Sequence, residues 1–287
     1  MIKGNCRLTL CEEINLLFTA DSRYAKRIPV VLKSLCENDP GRSYHVYLIT
    51  DDLDQKTEQH LASYCEMLGY GFSVYKINAE IFSDAPVNKY YTLAMYYRHL
   101  AFRVLPETVR KVIYLDPDIL IINPLHPLWE INPEGHLFLA ASHTEDNETL
   151  DDLNRVRLGT NSPYYNTGVI VMDLDGCRKE VSEADIFSYI QENASRLLLP
   201  DQDVFNALYG AKSKSIPDVI WNYDARFYAQ YLLNSNGEYD ERWVMKNTVI
   251  LHFCGKNKPW DKRLISRFDF LYLHYEELTR RSGWSNF

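Results

Sequence analysis

Apolar residues fall in short runs separated by polar, helix-periodic stretches, and the alternation sets in near residue 14. Ile14–Ala20 is an apolar run of strand length that ends at Asp21. Tyr24–Cys36 predicts a helix, with Pro29 near its first turn, where a missing N–H is tolerated. Tyr44–Thr50 is rich in β-branched and aromatic residues and predicts a strand ending in Asp51 and Asp52. Asp54–Leu68 predicts a polar-faced helix capped by Asp54 and closed by Gly69. Gly71–Ile77 predicts a third strand. This β-α-β-α-β rhythm argues for a parallel sheet with helices on both faces. In such sheets ligands bind beyond the carboxyl ends of the strands.

Thr92–Leu105 has the clearest helical periodicity, with Leu93, Tyr97, Leu100, Ala101 and Val104 on one face and Pro106 as the stop. Lys111–Leu115 predicts a buried strand that runs into Asp116-Pro117-Asp118. Asn123–Trp129 predicts a proline-punctuated turn. Leu137–Ser142, Gly168–Asp173 and Val249–Phe253 predict further strands. Ser182–Asn193, Val204–Leu208 and the tail from Asp261 predict helices. Asp146–Pro163 is polar and predicts a loop, a candidate lid over an acceptor. No repeat, low-complexity tract or Gly/Ser linker divides the chain, so residues 1–287 are expected to form a single domain with 261–287 as an aromatic and basic tail.

Composition narrows the class. Hydrophobic residues make up 46% of the 287 and charged residues 24%, which fits a folded globular chain and excludes a disordered one. Lys and Arg number 31 against 39 Asp and Glu, a net charge of −8, so a nucleic-acid backbone is a poor partner. A local basic pocket for one small anion stays open. The six cysteines, Cys6, Cys11, Cys36, Cys65, Cys177 and Cys254, show no C-x-x-C pairing and read as reduced thiols of a cytosolic protein. Glu12 and Glu13 interrupt the first apolar stretch, which argues against a signal peptide, and no apolar run reaches the ~18–20 residues that span a bilayer.

Several short segments carry candidate chemistry, and each also has an ordinary structural reading. Asp116 and Asp118 leave the carboxyl end of a strand, and Pro117 forces the chain to turn between them. Two adjacent carboxylates suit a hard divalent cation, or they are a solvated turn. His252 ends a strand and is followed by Gly255, Lys256, Lys258 and Pro259-Trp260. This is a metal-ligating imidazole with phosphate-binding groups, or a core histidine before a tight turn. Asp201-Gln202-Asp203 precedes an apolar helix, where one aspartate is accounted for as a cap and Gln202 is not. Asn166-Thr167-Gly168 reads as a turn entering a strand. Thr19-Ala20-Asp21-Ser22-Arg23-Tyr24 reads as a strand-to-helix cap. Arg98 lies off the apolar stripe and reads as a solvated or snorkelling side chain.

In their order and spacing these segments resemble the family 8 retaining glycosyltransferases. The resemblance spans roughly Ile14 to Trp260, and H-x-x-G-x-x-K-P-W is its most discriminating part. It implies a GT-A fold, a Rossmann-like α/β domain with a mixed, mostly parallel sheet. It implies transfer of glucose or galactose from a UDP-sugar to a glycan or lipid-linked saccharide. Asp116, Asp118 and His252 match the metal ligands, and this O/N set suits Mn²⁺, with Mg²⁺ a weaker candidate. Thr19, Ala20, Asp21 and Tyr24 match the uridine site, although Ser22 and Arg23 depart from the family pattern. Arg98, Pro117, Asn166, Gly255 and Lys258 match donor contacts. Gln202 and Asp201 match catalytic positions. A neutral amide at Gln202 is a weak nucleophile, which favours front-face transfer over double displacement. Arg98, Lys256, Lys258 and a cation are expected to make a positive pocket.

Two other classes remain in view. A sugar-1-phosphate nucleotidyltransferase would carry a glycine-rich first loop, and Thr19–Tyr24 has no glycine. A pseudo-transferase would bind nucleotide or glycan without turnover. The tail Arg267–Phe287 mixes aromatic residues with Arg280 and Arg281, and such tails touch membranes in some relatives. That adds a peripheral place on the inner membrane face to the cytoplasmic expectation.

Overall fold

The computed structural model describes residues 12–82, 93–143, 148–261 and 266–284. Its strands are β1 (Ile14–Thr19), β2 (Tyr44–Thr50), β3 (Gly71–Lys76), β4 (Lys111–Leu115), β5 (Ile119–Ile121), β6 (Phe138–Ser142), β7 (Tyr165–Asp173), β8 (Ser213–Ser215), β9 (Tyr223–Asp224) and β10 (Ile250–His252). Seven of them form one sheet in the order β3-β2-β1-β4-β7-β6-β8. β3, β2, β1 and β4 are mutually parallel, and β6 pairs parallel with β8. β7 runs antiparallel to both of its neighbours. The expected α/β architecture with a mostly parallel sheet is therefore present.

Both faces of this sheet are covered, and strand pleating decides which residue goes where. Leu16, Phe18, Ile113, Leu115, Val169 and Val171 join the core on one face. Leu17, Val112, Tyr114, Ile170 and Met172 join the core on the other. Consecutive residues pointing to opposite faces is the geometry of an extended strand. It explains why the central strands read as nearly unbroken apolar runs: a strand buried on both faces has no polar side to show. A third core, around Leu120, Tyr223, Leu251 and Tyr272, lies under a smaller sheet of order β5-β10-β9.

Two predicted helices differ in detail. The single helix expected over Tyr24–Cys36 is two, Ser22–Ala25 and Ile28–Asn38. Pro29 has no N–H to donate to Ala25, and its ring would crowd that carbonyl, so the break falls between them. Asp21 caps the first piece, its carboxylate accepting from Arg23 N and Tyr24 N. The segment expected as a helix over Thr92–Leu105 winds as a 3₁₀ helix, Leu93–Leu100, before an α turn at Ala101–Val104; Thr92 lies outside the described residues. Apolar spacing over so few turns does not separate three residues per turn from 3.6.

Other expectations need correction. The expected loop Asp146–Pro163 contains the helix Glu148–Leu158. Leu153 and Val156 on it face solvent, at 62% and 81% exposure. With these two apolar side chains turned outward and mostly polar residues around them, the segment read as a polar loop. It is tied down by Arg157, whose guanidinium donates two hydrogen bonds, of 2.7 and 2.6 Å, to buried Asp203. The expected turn Asn123–Trp129 runs into a short helix, His126–Glu130. The tail helix is Asp269–Arg281, and residues 262–265 of the expected span lie outside the described residues. It docks on the helix Ile28–Asn38 side of the domain, where Arg27 Nη1 donates to Glu276 Oε1 (2.9 Å) and Asn38 Nδ2 to Tyr275 Oη (2.7 Å). Cys36, Cys65, Cys177 and Cys254 are free thiols, and Cys6 and Cys11 lie outside the described residues. No helix among the described residues is long and apolar enough to cross a membrane.

Candidate functional site

Sheet topology brings the chemistry to one edge. β1 and β4 end at the same side, delivering Thr19 to Asp21 and Asp116. β7 runs the other way, so its beginning, Tyr165 to Gly168, lies at that side too. After β4 the chain turns through Pro117 and crosses to the small sheet as β5. There β10 pairs antiparallel with β5 and sets His252 opposite Ile119. The D-x-D turn is thus the point where the chain passes from one sheet to the other. The crossing holds Asp118 against β10, whose neighbour Phe253 donates its N–H to the Asp118 carbonyl (3.0 Å).

A cavity of about 290 Å³ opens at this edge. It is lined by Thr19, Ala20, Asp21, Tyr24, Arg98, Asp116, Pro117, Asp118, Asn166, Asp201, Gln202, His252, Gly255 and Lys258, the residues that the resemblance matched to metal, donor and catalytic positions. Ligand atoms of Asp116, Asp118 and His252 lie within 4.8 Å of one another. His252 Nε2 is 3.2 Å from Asp118 Oδ1 and 3.7 Å from Asp116 Oδ2. Asp118 Oδ1 is buried and accepts no hydrogen bond of good geometry, although His252 Nε2 stands 3.2 Å away. Two carboxylate oxygens and one imidazole nitrogen, with one oxygen unsatisfied, fit a divalent cation.

The surrounding charges are nearly balanced. Lys258 Nζ donates to Asp118 Oδ2 and to the Phe253 carbonyl (2.9 Å). Arg98 is buried, stacks on the Tyr114 ring at 4.3 Å, and places Nη2 3.1 Å from Asp116 and 3.4 Å from Asp201. Its Nη1 donates to the Thr167 carbonyl (2.5 Å) and its Nε to the Met95 carbonyl (2.8 Å). The reading of Arg98 as a solvated side chain is therefore overturned. Burial works against its charge, but Asp116 foremost, with Tyr114 and Asp201, holds its pKa above the usual value. Asp21, Asp116, Asp118 and Asp201 face Arg98, Arg226, Lys256 and Lys258 across the cavity. Arg98 and Lys258 are engaged with carboxylates, so excess positive charge in the expected pocket would come from the cation that the expectation includes.

Burial raises the pKa of Asp118, yet Lys258 and then His252 outweigh it and hold the carboxyl well below its usual range. Burial likewise opposes protonation of His252, but Cys254 and Asp118 keep its pKa well above the ordinary value. Asp201 goes the other way: desolvation raises its pKa against the opposing effect of Arg98. Thr167 Oγ1 donates to Asp201 Oδ2 (3.0 Å), which fixes that carboxylate beside Arg98.

The local readings also sort themselves. Asp203, not Asp201, serves the start of the helix Pro200–Tyr209, accepting from Leu198 N (2.7 Å) and Leu199 N (3.3 Å). Asp201 and Gln202 are left to face the cavity. Asn166, Thr167 and Gly168 lie inside β7 rather than in a turn before it. Gly168 answers to space: a Cβ there would sit 2.2 Å from His252 Cε1 and 2.9 Å from Asp116 Oδ2. Asp21 spends one oxygen capping the helix Ser22–Ala25, and Arg23 lies over the Tyr24 ring at 4.9 Å.

Sequence reasoning missed Tyr114, Asn222 and Arg226. Tyr114 Oη donates to Asp116 Oδ1 (2.6 Å), and strand spacing from Asp116 would have placed both on one face. Asn222 is wholly buried behind His252, and nothing in Trp221-Asn222-Tyr223 announces it. Arg226 clasps buried Asp224 through Nε (2.9 Å) and Nη2 (2.6 Å). That clasp also compensates a second trio of possible ligands, His143, Asp224 and Cys254, beside the first.

Comparison with known proteins places the chain in a family. Residues 15–263 match the sequence model described as Glycosyl transferase family 8. General stress protein A of Bacillus subtilis (strain 168) is 25% identical over 280 residues, covering 94% of this chain and 95% of the relative. A lipopolysaccharide 1,2-glucosyltransferase of Escherichia coli (strain K12) is 24% identical, covering 88% of this chain and 74% of that protein. Among solved structures, the galactosyltransferase LgtC in complex with donor and acceptor sugar analogs superposes with a TM-score of 0.79 at 19% identity, covering 92% of this chain and 96% of that one.

Proposed function

The chain belongs to glycosyl transferase family 8, and from that membership we propose that it is a metal-dependent, retaining hexosyltransferase moving glucose or galactose from a UDP-sugar to a glycan or lipid-linked saccharide. The observation that carries the reading is the convergence of Asp116, Asp118 and His252, from β4, the crossing turn and β10, on one wall of a cavity whose other walls come from β1, β7 and the helix Pro200–Tyr209. Relatives named for glucosyl and galactosyl transfer leave both hexoses in view.

In this reading Asp116, Asp118 and His252 hold the cation, Mn²⁺ in preference to Mg²⁺, which when bound offsets the negative charge that develops on the departing diphosphate. Thr19, Ala20, Asp21 and Tyr24 form the uridine end. Gly255, in left-handed backbone geometry at φ 84°, brings the chain close to the diphosphate, and Lys258 adds a cation there. Arg98, Pro117 and Asn166 line the donor sugar. Asp201 is engaged with Thr167 and Arg98, which leaves it poorly placed as a free nucleophile. Gln202 presents a neutral amide, so front-face transfer is favoured, with Gln202 stabilising positive charge on the sugar. Residues 1–287 act as a single catalytic domain in the cytoplasm.

The test is release of UDP from UDP-glucose and UDP-galactose, with and without Mn²⁺. Release from one of them that requires the cation is the expected result. UDP binding without release from any donor would favour a pseudo-transferase. Nucleotidyl transfer to a sugar phosphate would favour the nucleotidyltransferase class.

Peripheral membrane contact through the tail belongs to the same proposal. Phe270 on the tail helix is 70% exposed, which supports it. Arg280 and Arg281 lie beside Glu276 and Glu277, which dilutes the basic charge offered to lipid. Phe270→Asp is expected to reduce co-sedimentation with anionic vesicles, and equal pelleting of the two proteins would remove the idea.

A further inference from the structure

Behind His252 runs a chain of three side-chain amides. His252 Nδ1 lies 2.8 Å from Asn222 Oδ1. Asn222 Nδ2 donates to Asn166 Oδ1 (2.9 Å), and Asn166 Nδ2 donates to Gln202 Oε1 (3.2 Å). The direction of this chain follows from one backbone group. Gly168 N donates to the same Asn166 Oδ1 (2.9 Å), and a backbone N–H has only a proton to offer. The Asn166 atom facing it must therefore be oxygen. The Asn222 atom that meets this oxygen must be its NH₂, which turns the Asn222 oxygen toward His252. His252 must then carry a proton on Nδ1, and Nε2 is the nitrogen whose lone pair serves a ligand on the Asp116–Asp118 side.

We propose that Asn222 is a positioning residue that sets the ligating nitrogen of His252 and, through Asn166, the orientation of the Gln202 amide, so that the cation site and the sugar-facing amide are built as one unit. The inference rests on the metal reading of the preceding section. Asn222 is suited to this work because it cannot relax. It is fully buried, its N–H donates to the Asp218 carbonyl (2.9 Å), and its own carbonyl accepts from His143 Nε2 (2.6 Å). The opposite arrangement would put an NH₂ against His252 Nδ1 and the imidazole proton on Nε2, facing the carboxylates and closing the site to a cation.

Two variants separate the arms. Asn222→Ala removes both. Asn222→Asp still accepts from His252 Nδ1–H but has nothing to donate to Asn166. With Mn²⁺ affinity read by electron paramagnetic resonance in the presence of UDP, Asn222→Ala is expected to bind about 10–100-fold more weakly. Asn222→Asp is expected to bind at least as tightly as the wild type, yet to show a lowered kcat at saturating Mn²⁺ and donor. Equal Mn²⁺ affinity in the wild type and Asn222→Ala would overturn the proposal. So would an Asn222→Asp protein that binds as weakly as Asn222→Ala, or one with full kcat. A wild type that binds Mn²⁺ no better than His252→Ala would instead overturn the metal reading itself. Should Asn222→Ala fail to fold, long-range ¹H–¹⁵N correlations of His252 in the Mg²⁺-loaded wild type decide: a proton on Nδ1 alone supports the proposal, and a proton on Nε2 alone overturns it.

Discussion

Asp118→Asn is expected to eliminate measurable Mn²⁺ binding and to lower hexose transfer by about 10³-fold. The substitution keeps the shape of the side chain and removes its charge. Asp118 offers one buried oxygen to the ligand trio at 3.2 Å from His252 Nε2 and the other to Lys258. Asparagine can present only one oxygen, and its NH₂ would face either the cation or the lysine. The second consequence is structural. Lys258 is largely buried and would lose its counter-ion, and breaking a buried pair from one side costs about 3–5 kcal/mol. Thermal melting should therefore register a loss of stability beside the loss of activity. The distinction between the two effects comes from Lys258→Met/Asp118→Asn, which removes the orphaned charge. Stability is expected to recover while Mn²⁺ binding stays lost. Undiminished UDP release by Asp118→Asn would contradict the assignment of this carboxylate to the cation.

Gly168→Ala is expected to lower transfer by about 10²-fold and to weaken Mn²⁺ binding, although it adds a single methyl group. Gly168 lies inside β7 with its carbonyl accepting from Asp116 N (2.8 Å) and its own N–H held by Asn166, so the backbone has little room to retreat. A Cβ would lie 2.2 Å from His252 Cε1, 2.8 Å from its Nδ1 and 2.9 Å from Asp116 Oδ2, inside contact distance of two of the proposed ligands at once. The imidazole must move, and a displacement of about 1 Å at a reacting centre is enough for such a loss. Titration of Mn²⁺ with UDP present would show the effect directly. Wild-type affinity in the alanine variant would mean that the imidazole has freedom this packing denies it.

Much of the architecture was legible because pattern and local chemistry agree. Tyr44–Thr50 and Lys111–Leu115 are strands at the expected bounds, and Asp54 caps its helix by accepting from Thr57 N. Where the pattern was silent or misleading, local spacing was competing with contacts that the chain makes elsewhere. Glu148–Leu158 read as a loop because Leu153 and Val156 face solvent and its anchor is the ion pair of Arg157 with Asp203, 46 residues away. Gly168 read as a turn former because glycine in turns is common, whereas here its role is the space it leaves for His252. Arg98 read as solvated because its neighbours on the helix gave no sign of Asp116 and Asp201, both supplied by other elements.

The site divides along the same line. From the chain alone come the residue types and their order: a strand that ends in two carboxylates around a proline, a strand that ends in histidine before Gly255 and Lys258, and an acidic pair with Gln202 at a helix start. These are local, since a strand end or helix start is specified within a few residues. The tertiary structure alone decides that Arg98 and Lys258 are engaged with carboxylates, that Asp203 rather than Asp201 holds the helix start, and that Asn222 stands behind His252. The physical reason is that charge compensation and hydrogen-bond direction depend on which groups meet across the fold, and β4, β7 and β10 are brought together only by sheet pairing between segments far apart in the chain.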